Sequence, residues 1–175
     1  MKRKIVDVLV KFENFFDHVN APFYGRALDE NGNSLPSRRE KSWKFSVHSQ
    51  RKNTHLTYQS VREKGRYLDE AVRIELLCGS VWEPIATLKG SDLEITAVGG
   101  DDHVKLGVET LEWHVETCRS GVTPPDFIKI WAESRCARCA LVLSNPTSIE
   151  HFFGPTCRKV VLGSLGGASK TATRS

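Results

Sequence analysis

The chain has 175 residues, 39% of them hydrophobic and 26% charged, with a net charge of +4 and five cysteines. That length suits one globular domain with a real core, or a domain carrying a small appendage. An odd cysteine count with three in metal spacing argues against a disulfide framework, no run is apolar enough to span a membrane, and Asp7 and Lys11 interrupt the basic start too early for a signal peptide, so a cytoplasmic protein without membrane attachment is expected.

The net charge hides a division along the chain. Residues 1–34 are neutral, 35–66 carry net +7, 67–128 carry net −8, and 129–175 carry net +5. Two basic blocks therefore flank one acidic block, and the field they present depends on how they fold together.

Taken in order, residues 4–19 show both strand alternation (Val6, Val8, Val10, Phe12) and helical spacing (Phe12, Phe15, Val19), which predicts a strand leading into a helical turn. Residues 29–42, rich in Asn, Gly, Ser, Pro and Arg, read as a loop. A hairpin over 43–61 follows: closing the chain at Gln50 to Asn53 pairs Val47 with Leu56 and Phe45 with Tyr58, so that every large apolar side chain falls on one face. The same register sets His48 opposite His55 on the polar face. A meander over 72–98 is expected next, with turns near Gly79-Ser80 and Lys89-Gly90-Ser91 and a bulge or edge position at Pro84.

The clearest helix spans 101–119. Asp101 or Asp102 can cap it, Val104, Val108, Leu111, Val115 and Cys118 form its apolar stripe, and Gly121 lies beyond its end. His114 falls off that stripe and reads as solvated, whereas Cys78 and Cys118 read as buried thiols. PheIleLysIleTrp at 127–131 predicts a last strand. The expected fold is α+β: an antiparallel β-sheet with one main covering helix over residues 1–131, a small zinc lobe at 132–163 and a disordered tail at 164–175.

The chemistry is concentrated in the lobe. Cys136 and Cys139, separated by two residues, can turn both thiolates to one point, and Asn145-Pro146, Ser148 as a helix N-cap and Gly154-Pro155 can bring Cys157 back to them. Tetrahedral Zn2+ needs a fourth ligand. His151 is the nearest candidate, with water, His114, Cys118 or a carboxylate as alternatives.

Cys136, Arg138, Cys139, Leu143, Pro146, Ser148, Ile149, Gly154, Pro155 and Cys157 together resemble a short zinc-ribbon-like domain of unknown function found in bacteriophage and bacterial proteins. The chain departs from that pattern at Ala137, Ala140, Leu141, Ser144 and Phe152. It also has Ala132 where many members of that group carry a histidine shortly before the first cysteine. PheSerValHisSer at 45–49 with ThrHisLeuThrTyr at 54–58 is a weaker match to the strand pair of phage members. The resemblance implies a phage or mobile-element setting and brings no activity with it.

No phosphate-cradling glycine loop, nucleophile elbow or His-Glu-x-x-His is present, and GluTrpHisValGlu at 112–116, which approximates the His-x-Glu of a zinc deaminase, lacks its spacing. An enzyme would require an open position on a catalytic zinc. Two non-enzymatic functions are expected instead. The first is nucleic-acid binding through Lys44, Arg51, Lys52, Arg135, Arg138, Arg158 and Lys159, preceded by Arg38, Arg39 and Lys41, with Trp43 or Phe152 available to stack on bases if exposed. The second is a module that binds and blocks a host protein, such as a defence factor, through Phe152 and Phe153.

Overall fold

Nine-residue runs that place every second side chain in the core build the centre of the molecule. A computed structural model describes residues 7–20, 24–36, 40–63, 71–151 and 153–160. The predicted hairpin forms as β4 (Lys41–Ser49) and β5 (Thr54–Arg62), with Val47 opposite Leu56, Phe45 opposite Tyr58 and His48 opposite His55. Trp43, Phe45, Val47, Leu56 and Tyr58 are all buried, and each contributes roughly 1.5–3 kcal/mol of burial that a shifted register would forfeit.

The meander follows as β6 (Val72–Cys78), β7 (Val81–Lys89) and β8 (Asp92–Ile95). Pro84 cannot donate to the ladder, and the pairing slips beside it: Ile74 faces Ala86 while Glu75 faces Pro84, leaving Ile85 as the bulged residue. Both Ile85 and Ala86 consequently turn inward and are buried.

The hairpin and meander belong to one larger sheet. It has seven, in the order β1-β9-β4-β5-β6-β7-β8, all antiparallel, with β1 (Asp7–Leu9) at one edge and β9 (Ile128–Glu133) inserted between β1 and β4. A 3-10 turn (Phe12–Asn14) and α1 (Phe15–Val19) follow β1, as the mixed periodicity predicts. The stretch read as a loop, 29–42, contains the turn and second strand of a separate small hairpin, β2 (Tyr24–Leu28) and β3 (Ser34–Pro36), whose turn is closed by Asp29 Oδ1 accepting from the amides of Asn31 and Asn33. Residues 37–39, with Arg38 and Arg39, and the tail 164–175 lie outside the described residues.

α2 (Asp102–Ser120) covers the inner face of the sheet. Asp101 caps it by accepting from the Val104 amide at 2.9 Å, and Gly121 ends it at φ 65°. Its buried residues are Gly107, Leu111, His114, Val115 and Thr117, and the rest of the predicted stripe, Val104, Val108 and Cys118, packs half-buried against the core. His114 is therefore not solvated. It is completely buried, its ring 4.3 Å from that of Phe15 and 5.2 Å from that of Phe12. Cys78 and Cys118 are half-buried and pack against the core. No helix among the described residues is long and apolar enough to cross a membrane.

Candidate metal centre

β9 leaves the sheet at Glu133 and the chain turns back on itself, Arg135 bridging Val142, with Cys136 N donating to Leu141 O and Leu143 N to Ser134 O. The tip of this hairpin is a tight turn closed by Ala140 N donating to Cys136 O at 2.8 Å, and Ala140 takes the left-handed conformation at φ 57°. Cys136 and Cys139 thus sit at either end of one knuckle.

The return path uses α3 (Pro146–His151), capped by Asn145, whose Oδ1 accepts from Thr147 N at 2.9 Å. Asn145 takes the capping role expected of Ser148, because Pro146 at the first helical position needs no donor and presets φ. Ser148 is buried inside the helix instead. After Gly154, a second helical segment, 155–160, delivers Cys157.

The three sulfurs of Cys136, Cys139 and Cys157 lie within 4.8 Å of one another. Sulfurs at about 2.3 Å from a common zinc would be separated by roughly 3.8 Å, so this spacing suits three corners of a tetrahedron. The surroundings favour thiolates. Backbone amides of Gly154, Cys139 and Arg138 donate to Cys136, the amide of Leu141 donates to Cys139, and Arg138 Nη1 lies 3.5 Å from the Cys157 sulfur. The hydrogen bond from the Cys139 thiol pushes Cys136 down to about 5, helped by those amides, while Cys139, which keeps the shared proton, is pushed up. A divalent cation at that point would take the place of the shared proton and offset most of the charge of three thiolates.

Among the described residues, the three cysteines are the one group of this kind whose donor atoms converge on a point. His151 stands exposed at the end of α3 and is not in that group. His114 is buried in the aromatic core with Cys118 Sγ 3.8 Å from its Nε2, so these two alternatives for the fourth ligand are committed elsewhere.

The basic residues fare differently from one another. Arg138 is buried against Cys157, and Arg135 donates to Ala140 O at 3.0 Å, so both serve the knuckle. Arg158 is half-buried and Lys159 exposed. Lys44, Arg51 and Lys52 are exposed, with Lys44 5.9 Å from the Trp82 ring centre and Arg51 5.7 Å from that of Phe127. The knuckle leaves the sheet beside the start of β4, whereas Arg51 and Lys52 sit beyond its end, about 25 Å away at 3.3 Å per residue. Arg51 and Lys52 are therefore at the opposite end of the sheet from the knuckle's basic residues, whereas Lys44, beside Glu133, is at the same end.

Trp43, 2% exposed, cannot stack on a base, and Phe153 packs into the lobe and the main core together, as a structural residue would. Phe152 lies outside the described residues. What the sequence reading missed is the outer face of the sheet, where Trp82 and Trp131 project; the alternation of PheIleLysIleTrp around buried Ile130 was the available signal. Comparison with protein-family models, curated proteins and solved structures finds no match for the chain.

Proposed function

We propose that this is a non-enzymatic accessory protein in which a structural zinc, held by Cys136, Cys139 and Cys157, fixes the C-terminal lobe, and which binds nucleic acid. The converging sulfurs with amides aimed at them are the observation that carries the metal reading. Apart from the three cysteines, the lobe's own cluster among the described residues contains only Leu143, Ile149 and Phe153, a small apolar set to which a metal would add the cross-link.

The nucleic-acid reading draws on how the charges are distributed. The acidic α2, with Glu109, Glu112 and Glu116 exposed, lies on the inner face of the sheet, and its ion pairs among the described residues are internal: Lys105 with Asp102 and Arg119 with Glu116. Lys44 and Lys129 belong to the opposite face, where the acidic helix does not neutralise them. The phage-type setting rests on the cysteine pattern alone. The test is binding of the zinc-loaded full chain to mixed-sequence single-stranded and duplex DNA across a salt series. Affinity falling steeply with salt supports the reading. No binding to either at low salt overturns it.

A further inference from the structure

We propose that the outer face of the sheet is a platform for single-stranded nucleic acid, with bases stacked on Trp131 and Trp82; this rests on the nucleic-acid reading above and names its substrate. The register carries the argument. Trp131 faces Ser46, Ser46 faces Thr57, and Leu77 faces Trp82. Tyr58 opposite Leu76 sets Thr57 beside Leu77, so these residues form one row across β9, β4, β5, β6 and β7. The backbone positions of the two tryptophans, about 19 Å apart at four strand spacings, thus flank a floor that is low at Ser46 and Thr57, with Lys44 Nζ reaching to 5.9 Å from the Trp82 ring centre.

A trough of about 570 Å³ lies over that floor, lined by Lys44, Ser46, His55, Thr57, Trp131 and Glu133 among others. Trp131 is 38% exposed and Leu9, opposite it on β1, 53% exposed, which leaves an apolar ring system facing water at the sheet's end.

Charge decides the occupant. The neighbouring row contains Lys129, His48 and His55 with no carboxylate among them, while Arg51 and Lys52 at the hairpin tip turn toward Phe127 and the α2 side. The row on the other side is mixed: Lys44 and Gln59 stand with Glu75, which Arg73 pairs, and with Glu133, which accepts from the Lys44 amide. A polyanion would lay its phosphates along the cationic row and its bases over the tryptophans. Unpaired bases stack on exposed aromatics of open antiparallel sheets, whereas a duplex keeps its bases stacked on each other and offers only its backbone.

The experiment is titration of the zinc-loaded full chain with a fluorescent oligothymidylate and with a duplex of the same length. Expected are tighter binding of the single strand, a loss of about tenfold or more in Trp131→Leu, and recovery of most of that loss in Trp131→Phe. Lys129→Gln should flatten the salt dependence, and Trp113→Leu, on the helix side, should bind as the parent does. Equal or tighter duplex binding, or an unchanged Trp131→Leu, overturns the platform while the broader reading stands. Failure to bind either probe overturns both.

Discussion

Arg62 Nη1 donates to the carbonyl of Ala137 at 2.9 Å, tying the end of β5 to the turn between the first two cysteines. The same guanidinium donates through Nη2 to His18 O at 2.9 Å, so one buried arginine joins the sheet, α1 and the knuckle. Ala137 itself belongs to the main core. The lobe is docked by a charge-assisted contact in a dry place, where such bonds are strong and their loss is costly.

Arg62→Met keeps the length of the side chain and removes its donors. Two carbonyls then lose the arginine that served them, at about 1–3 kcal/mol each. A loss of about 2–4 kcal/mol is expected in urea unfolding, together with weaker metal retention in competition with a chelator. An unchanged midpoint and unchanged retention would show that the docking does not depend on this residue.

The two buried histidines make acid a denaturant. Burial pushes His114 down to about 3 and, with the nearby Arg62 charge, holds His18 well below the ordinary value of 6.5. Both are neutral when folded, and the unfolded chain takes up their protons first. Their contribution is complete above about pH 6.5 and is lost as pH falls toward the folded values, by up to about 1.4 kcal/mol per pH unit for each histidine. Urea unfolding from pH 7 to 5 should show this decline, and His114→Phe should remove close to half of it. An identical slope in the variant would refute the assignment.

Ala140 holds a left-handed conformation at φ 57° without the freedom of glycine. Ala140→Gly relieves roughly 1–2 kcal/mol of strain against about 0.5–1 kcal/mol of added chain entropy, for a net gain of about 0.5–1 kcal/mol. Asn53 at the hairpin tip has φ 50°, but asparagine tolerates that region, so Asn53→Gly should gain less. Thermal midpoints of the two variants, measured side by side, give the comparison.

Gly107 lets α2 approach the sheet: a Cβ there would collide with the Leu76 side chain, and its carbonyl accepts from the Tyr58 hydroxyl at 2.8 Å. Gly107→Ala should therefore destabilise by about 1–3 kcal/mol, even though alanine is the better helix former. A stabilised Gly107→Ala would mean that the helix can withdraw without loss.

Local pattern made most of the sheet readable. In β4 and β5 each large apolar residue has a polar neighbour on either side, and shifting Val47 away from Leu56 by one place would turn the whole set outward. The insertion of β9 between β1 and β4 was not readable, since alternation in Ile128–Glu133 says which face is buried and nothing about which distant strand lies beside it. His114 was misjudged for a similar reason. The apolar residues of α2 suggested one stripe, while Phe12 and Phe15 pack on its flank and widen the buried arc. The cysteine knuckle was legible from spacing alone because two intervening residues suffice to define its turn. The tryptophan row was not, because it needs β9, which lies far along the chain, set beside the consecutive strands β4 to β7.

Metal at the three cysteines underlies both the closed lobe and the proposed function. The direct measurement is elemental analysis of protein purified without chelator, for the parent chain, Cys157→Ser and His151→Ala. One zinc per chain in the parent, its loss in Cys157→Ser and its retention in His151→Ala is the predicted result. A parent chain without metal, or a Cys157→Ser variant that keeps its zinc undiminished, would contradict it.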